Sequence, residues 1–397
     1  MAAMALLSLD DALALVLAHV RPLEPERVPL GAAAGRVLAE PVAARVDLPP
    51  FPSSAMDGFA VRAEDTPATL RVVDRVAAGR PASGALGRRE AMEISTGGVV
   101  PDGADAVVPV EDVIAAGDTV EIANAVAAGA NVRPRAGDVR AGDVILQAGT
   151  TLRPSAVGAL AAAGVPDLDV ARAPRVAIVS TGSELRTPGE ALGPGQIYEA
   201  NSFALAAACA GTGAAATRLA VIGDDVSQHR DALELALEHD VVVTSGGVSV
   251  GPHDLVRTVA SDLGVQEVFW RVAVKPGKPI AFGTRGETLV FGLPGNPVSA
   301  LVGFELFVRP ALRALQGADP GPHYLDAVLA APLRRLAERD QLVRARLRVE
   351  GGRPALEPLT GQESHMIGRA AAADALALVR RGAGEAAAGT TVPYLPF

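Results

Sequence analysis

The scarcest things in this sequence are cysteine, lysine and any excess of positive charge. A single cysteine in 397 residues, Cys209, excludes an intramolecular disulfide and any cysteine-based zinc site, and makes the cytoplasm the expected compartment. No apolar run, not even Leu13–Ala18 or Val298–Phe304, approaches the roughly 20 residues that span a bilayer. The N-terminus has no basic stretch, and Asp10 and Asp11 stand where a signal peptide avoids acids. A net charge of −9 excludes general nucleic-acid binding, so an anionic ligand requires a local positive site against the overall field. The six histidines, His253 among them, show no metal-ligand spacing, and no Ser-His-Asp or Cys-His arrangement can be drawn.

What is present is unevenly placed. Only two of the 36 cationic residues are lysines, and both, Lys275 and Lys278, fall in "VKPGKP". A compact, rotatable ammonium is not interchangeable with guanidinium, so their retention at one spot marks a site. "SLDDALALVLAHV" (8–20) reads as a capped helix, with Ser8 as N-cap, Asp11 at the capping-box position, and Leu9, Leu13, Val16, Leu17 and Val20 on one face.

The length predicts roughly two to four domains. Apolar strands at 175–180, 217–222, 241–245, 269–274, 280–283 and 288–292 alternate with helical stretches near 201–211, 226–239 and 253–263. This predicts a mostly parallel, doubly wound α/β sheet over 175–317, with ligands outside the carboxyl ends of its strands. Residues 46–146, rich in Val, Gly, Pro and Asp, predict a β-rich insertion. It interrupts a helical N-terminal domain formed by 1–45 and 147–174. Residues 318–397 predict a small C-terminal β domain with a hairpin at Gly351-Gly352.

Five polar, glycine-rich turns follow strands and converge on one crevice: "STGSEL", "GDD", "TSGG", "KPGKP" and "GLPGNP". In the last, Asn296 or Gly295 is the expected N-cap and Pro297 the first helical residue, a helix end suited to an anion. "TSGGVS" offers backbone N–H groups and the hydroxyls of Thr244, Ser245 and Ser249. Glu184, Asp224, Asp225 and Asp254 end at strand tips, where carboxylates beside an anion imply a divalent cation such as Mg²⁺. "FPSSAMDGFAVR" (51–62) and "ISTGGVVPDGADAVVPVED" (94–112) have no amphipathic period, so core packing alone does not account for them. Cys209 in "LAAACAGTG" reads as a small core residue.

Together "SSAMDGFAVR", "STGGVVPDGADAVVPVED", "STGSEL", "GQIYEAN", "TSGGVSVGPHDLV", "KPGKP" and "GLPGNPVSA" resemble the molybdopterin molybdenumtransferase (MoeA) family, in unchanged order from about residue 8 to the C-terminus. The resemblance implies Mg²⁺-dependent insertion of molybdate into adenylylated molybdopterin with release of AMP. It implies an elongated homodimer with active sites between the sheet domain of one subunit and the β insertion of the other, open to transient contact with other cofactor-assembly proteins; with the charge and hydropathy above, no nucleic-acid or membrane partner is expected. The residues it implies are Asp57, Thr96, Glu184, Asp224 and Asp254 for catalysis, the last three around the metal. Substrate is expected at Ser245, Gly246, Gly247, Ser249, Pro294, Gly295, Asn296 and Pro297, and molybdate at Lys275, Lys278, Arg344 and Ser364. Two departures are Phe59, where the family usually has Tyr, and His365, where it usually has a small residue. Alternative readings are a molybdopterin adenylyltransferase and a non-catalytic scaffold of cofactor assembly.

Overall fold

The structure, a computed structural model, describes residues 6–223, 225–247 and 255–397. Its first helix, α1 (Leu9–Ala18), starts as the capping box requires: the Asp11 N–H donates to Ser8 Oγ at 3.1 Å, and the Ser8 hydroxyl donates to the Asp11 carboxylate at 2.6 Å. The chain forms two compact units. One comprises Arg27–Ala34 and Glu40–Asp169; the other comprises the chain up to Glu26, Gly35–Ala39 and Val170–Phe397. This differs from the expected helical N-terminal domain. The apolar face of α1 (Leu9, Ala12, Val16) is consumed in the core of the second unit, whereas α2 (Pro154–Ala162) lies in the first.

The first unit is built on a six-stranded sheet of β1 (Gly58–Val61), β2 (Ala68–Val76), β3 (Glu90–Ile94), β4 (Ala106–Pro109), β5 (Val113–Ala116) and β6 (Thr119–Ile122), in the order β4-β1-β3-β2-β6-β5. Side chains alternate across it. Phe59, Val61, Leu70 and Val108 fill the core on one face, and Ala60, Val76, Met92 and Ile94 fill that on the other. Phe59 is thus a core residue of the insertion.

In the second unit, β7 (Arg175–Ser180), β8 (Ala215–Arg218), β9 (Val241–Ser245), β10 (Gln266–Trp270), β12 (Ala281–Arg285) and β13 (Thr288–Leu293) form the predicted sheet. A short strand, β11 (Val274–Lys275), leaves it between β10 and β12. The order is β8-β7-β9-β13-β12-β10; the first four strands are parallel, and β12 runs antiparallel to both neighbours. Strands β7, β9, β10 and β13 therefore end at the same edge. The strand expected at 269–274 instead ends at Trp270, because Arg271 takes a left-handed backbone (φ 77°) that breaks the ladder. Apart from Arg175, every residue of β7 is buried, as a strand covered on both faces demands. Val176 and Ile178 face a core shared with α1, and Ala177 and Val179 face the opposite one. The covering helices are α3 (Asn201–Ala210), α4 (Val226–Ala236), α5 (Leu255–Asp262), α6 (Pro297–Gly303) and α7 (Arg309–Leu315). A π-helical stretch, Phe304–Val308, joins the last two, where Pro310 supplies no N–H for an α-helical bond.

The C-terminal part forms a closed ring of β14 (Leu325–Leu329), β15 (Asp340–Glu350), β16 (Arg353–Pro358), β17 (Ala375–Val379) and β18 (Thr391–Pro396). The β15–β16 turn is the expected two-residue hairpin, with Gly351 and Gly352 at φ 55° and 78°. Strand β11 joins β15 in parallel, with Val274 opposite Asp340 and Lys275 opposite Gln341. No helix among the described residues is long and apolar enough to cross a membrane.

Candidate functional site

At the common carboxyl edge of β7, β9 and β13 lies a cavity of about 530 Å³ bounded by Ser180, Thr181, Glu184, Glu199, Asn201, Ser245, Gly295, Asn296, Pro297 and His365. One side-chain amide bridges two of its walls. Asn201 Nδ2, at the start of α3, donates to Ser245 Oγ and to the Gly295 carbonyl, each at 2.7 Å. This ties the loop after β9 to the loop after β13. Glu199 is buried and fully engaged, accepting from the Ser202 N–H (2.8 Å), the Ser202 hydroxyl (2.5 Å) and the Ser180 hydroxyl (3.1 Å).

The glycine pair after β9 has a steric cause. Gly246 sits at φ 97°, and a Cβ there would come within 2.7 Å of Thr181 Oγ1; a Cβ on Gly247, at φ 66°, would lie 2.4 Å from Val256. Only glycine allows the two strand-end loops to approach this closely.

A second cavity, also about 530 Å³, adjoins the first through the shared residues Asn296 and His365. It gathers Lys275, Lys278 and Arg339 with Pro294, Ser299, Glu363 and Ser364. Neither lysine has an ion-pair partner among the described residues, so their charge is available to a ligand. The lysine loop is closed at its base by Arg271 N–H to Ile280 O (2.9 Å) and Val272 N–H to Lys278 O (3.0 Å). Three cations facing one carboxylate favour a compact dianion.

Two expectations are corrected here. Arg344 does not line either cavity: it is 1% exposed, and its guanidinium donates to the carbonyls of Met366 (3.0 Å), Gly361 (2.8 Å) and Glu363 (3.1 Å). Burial holds its pKa below the ordinary guanidinium value, against the opposing pull of Glu363. It shapes the 361–366 loop from a buried position, and Arg339 is the arginine that lines the cavity. The α6 terminus begins at Asn296 and Pro297 as expected, but it offers fewer free donors than an open helix end. Pro297 has no N–H, and that of Val298 is donated to Ser364 O at 3.1 Å. Ser364 therefore sits in the cavity wall with its carbonyl anchored.

In the other unit, Asp57 and Thr96 meet. One carboxylate oxygen of Asp57 accepts from the Thr96 N–H (2.6 Å) and hydroxyl (3.0 Å), which together hold the Asp57 pKa below 3.8. The two aperiodic motifs are thereby explained as one knot. Ser54 N–H donates to Gly98 O at 2.9 Å, and Gly97 N–H donates to Ser54 O at 2.8 Å. Gly58 is obligatory beside Asp57, since a Cβ there would fall 1.9 Å from the Val108 carbonyl oxygen.

Asp224, Ser249 and Asp254, with His253, lie outside the described residues. Asp225 is committed to the N-cap of α4. The Ser227 hydroxyl (2.6 Å) and the Gln228 N–H (2.9 Å) donate to its carboxylate and lower its pKa. Among the described residues no group of three His, Cys, Asp or Glu side chains gathers to hold a metal. Glu184, an exposed carboxylate in the wall of the first cavity, is a ligand type that suits Mg²⁺, an ion usually held by one or two carboxylates plus substrate phosphates.

Sequence reasoning passed over Glu199, Asn201 and Arg339. The first two stood in the quoted motif "GQIYEAN", immediately before the first helix of the sheet domain. Arg339 had no signal, being one arginine among many. Cys209 is where it was expected, buried in α3 with its thiol pushed up to about 12 by burial.

Comparison with known proteins agrees along the chain. Residues 7–164 match the family model "MoeA N-terminal region (domain I and II)", 177–314 match "Probable molybdopterin binding domain", and 326–397 match "MoeA C-terminal region (domain IV)". The chain is 42% identical over 349 residues to Molybdopterin molybdenumtransferase 2 of Mycobacterium tuberculosis, covering 84% of this chain and 86% of that protein. It is 34% identical over 400 residues to the Molybdopterin molybdenumtransferase of Haemophilus influenzae, covering 99% of each. A crystal structure of the molybdopterin biosynthesis moeA protein from Pyrococcus horikoshii OT3 superposes with a TM-score of 0.84 at 31% identity, over 99% of this chain and 100% of that one. Matched from end to end by these models and relatives, the chain belongs to the molybdopterin molybdenumtransferase (MoeA) family of molybdenum cofactor biosynthesis.

Proposed function

We propose that this enzyme inserts molybdate into adenylylated molybdopterin and releases AMP, in the cytoplasm, with Mg²⁺ as its metal. The observation that carries this reading is the pair of adjoining cavities. One is lined by hydroxyls, an amide and carboxylates, the other by Lys275, Lys278 and Arg339, and they share Asn296 and His365.

Molybdate, a tetrahedral dianion, is matched by ammonium groups that act as point charges from a closed loop. The pterin substrate brings its own sulfur nucleophiles, so no protein thiol is required, and the buried Cys209 is unsuited to be one. Asn201 and the glycine pair fix the wall against which the pterin and phosphate groups lie. When bound, Mg²⁺ would neutralise phosphate charge as the pyrophosphate link breaks. Glu184 would hold it together with substrate oxygens; Asp224 and Asp254 complete the set by family resemblance.

The same resemblance supports a homodimer in which Asp57 and Thr96 of one copy serve the cavities of the other. Their carboxylate–hydroxyl pair is solvent-facing and takes no part in its own unit's core. Co-expression of an Asp57→Ala chain with a Lys275→Ala chain tests this, since mixed dimers regain one intact site if the residues act across copies and stay inactive otherwise.

The deciding experiment supplies purified enzyme with adenylylated molybdopterin, molybdate and Mg²⁺, and measures AMP and molybdenum cofactor. Equal yields of both support the reading. Consumption of ATP to adenylylate molybdopterin, or no turnover at all, overturns it.

A further inference from the structure

Among the described residues His365 is the only histidine bordering the cavities, and it borders both. Its side chain is exposed, while its backbone is fixed: Ile367 N–H donates to His365 O at 2.9 Å, and the neighbouring Ser364 carbonyl is bound by α6. Arg344 holds the same loop from beneath through three carbonyls. An imidazole is therefore set, on a rigid loop, at the seam where an oxyanion from one cavity meets a pterin from the other.

From this placement we propose that His365 is a catalytic acid, which protonates the oxygen leaving molybdate as the dithiolene sulfurs bond to the metal. The proposal rests on the function given above. For a singly protonated dithiolene, two Mo–S bonds form and one Mo–O bond breaks. The sulfur lone pairs supply the new bonds, and molybdenum stays Mo(VI). The departing oxygen keeps the Mo–O electron pair and leaves as water, with one proton from the remaining thiol and one from the His365 imidazolium. Charge is conserved, and the exposed ring is reloaded from solvent.

The charged groups around the ring are Lys275, Lys278 and Arg339 across the second cavity, Glu363 on its own loop, and Glu184 and Glu199 in the first cavity. General acids of this kind contribute about 10²- to 10⁴-fold to rate.

The test compares wild type with His365→Gln and His365→Ala, using AMP and cofactor formation across pH and molybdate concentration. Thermal transitions serve as the check on folding, which an exposed position leaves intact. The expected result is a fall in kcat of about 100-fold with little change in the KM for molybdate, loss of one limb of the kcat–pH profile, and partial rescue of His365→Ala by added imidazole. Unchanged kcat and pH profile would overturn the proposal. So would a rise in molybdate KM alone without imidazole rescue, which would mark a binding role. If wild type itself makes no cofactor from these substrates, the functional reading fails first and the proposal falls with it.

Discussion

Replacing Arg344 by methionine separates a ligand from a scaffold. Methionine keeps the apolar stem of the side chain and removes the guanidinium, leaving the carbonyls of Gly361, Glu363 and Met366 without their donor. Each hydrogen bond to a charged group contributes about 1.5–3 kcal/mol. Glu363 is exposed, so water replaces the donor there, while the other two carbonyls are left short. The expected loss is about 3–6 kcal/mol, which at roughly 2–4 °C per kcal/mol for a unit of this size lowers its thermal transition by 6 °C or more. Amide hydrogen exchange gives the local view: protection should fall at Val298, Met366 and Ile367, whose N–H groups bond to carbonyls of this loop. Dependence on molybdate weakens as a consequence, because Ser364 and His365 lose their footing. A variant with a native thermal transition and native exchange but no response to molybdate would refute this account and make Arg344 a direct ligand.

Lys278→Arg conserves charge but places a broad planar group on the tight Pro-Gly loop. Molybdate use should weaken about 10- to 150-fold, the loss of one charge-assisted contact of about 1.5–3 kcal/mol, while binding of the adenylylated pterin changes less. Titration of both ligands checks this. Thr96→Val removes the hydroxyl bond to Asp57 and leaves the peptide N–H, the larger cause of its lowered pKa. The carboxyl should move part of the way back toward 3.8, as read by carbon NMR. Because the folded value is depressed, stabilisation from this pair is present above the ordinary carboxylate range and is lost as pH falls through the folded pKa. Cys209, buried and with its thiol pushed up to about 12, should resist a thiol reagent in the native protein and react fully only after denaturation. Fast native labelling would show that α3 opens.

The parts of the site that sequence revealed were those where chemistry restricts the residue type. The two lysines were visible because the chain otherwise uses arginine, and the strand-end glycines because close backbone approach admits nothing larger. The parallel sheet was legible from β7 and β9, whose unbroken apolar runs suit burial on both faces. Arg344 misled because a buried guanidinium serving carbonyls and an exposed one serving an anion are written with the same letter. The α1 periodicity marked a helix and its buried face, but periodicity carries no address, and the face packs on the α/β core rather than beside α2. The break at Arg271 was invisible because a left-handed arginine leaves no compositional trace.

Strand β11 carries Lys275 out of the α/β sheet and lays it against Gln341 of the C-terminal ring. The lysine loop therefore belongs to two architectures at once, springing from one and moored on the other. A chain cut between residues 317 and 318 would keep the strands, the glycine pair and Asn201, and with them most of the wall of the first cavity. It would lose the berth of β11 and the wall carrying Arg339, Glu363, Ser364 and His365. On the proposed function, capture of the metal oxyanion is in this sense a property of the junction: the C-terminal ring, through its 361–367 loop and Arg339, supplies the part of the second cavity that the α/β sheet cannot.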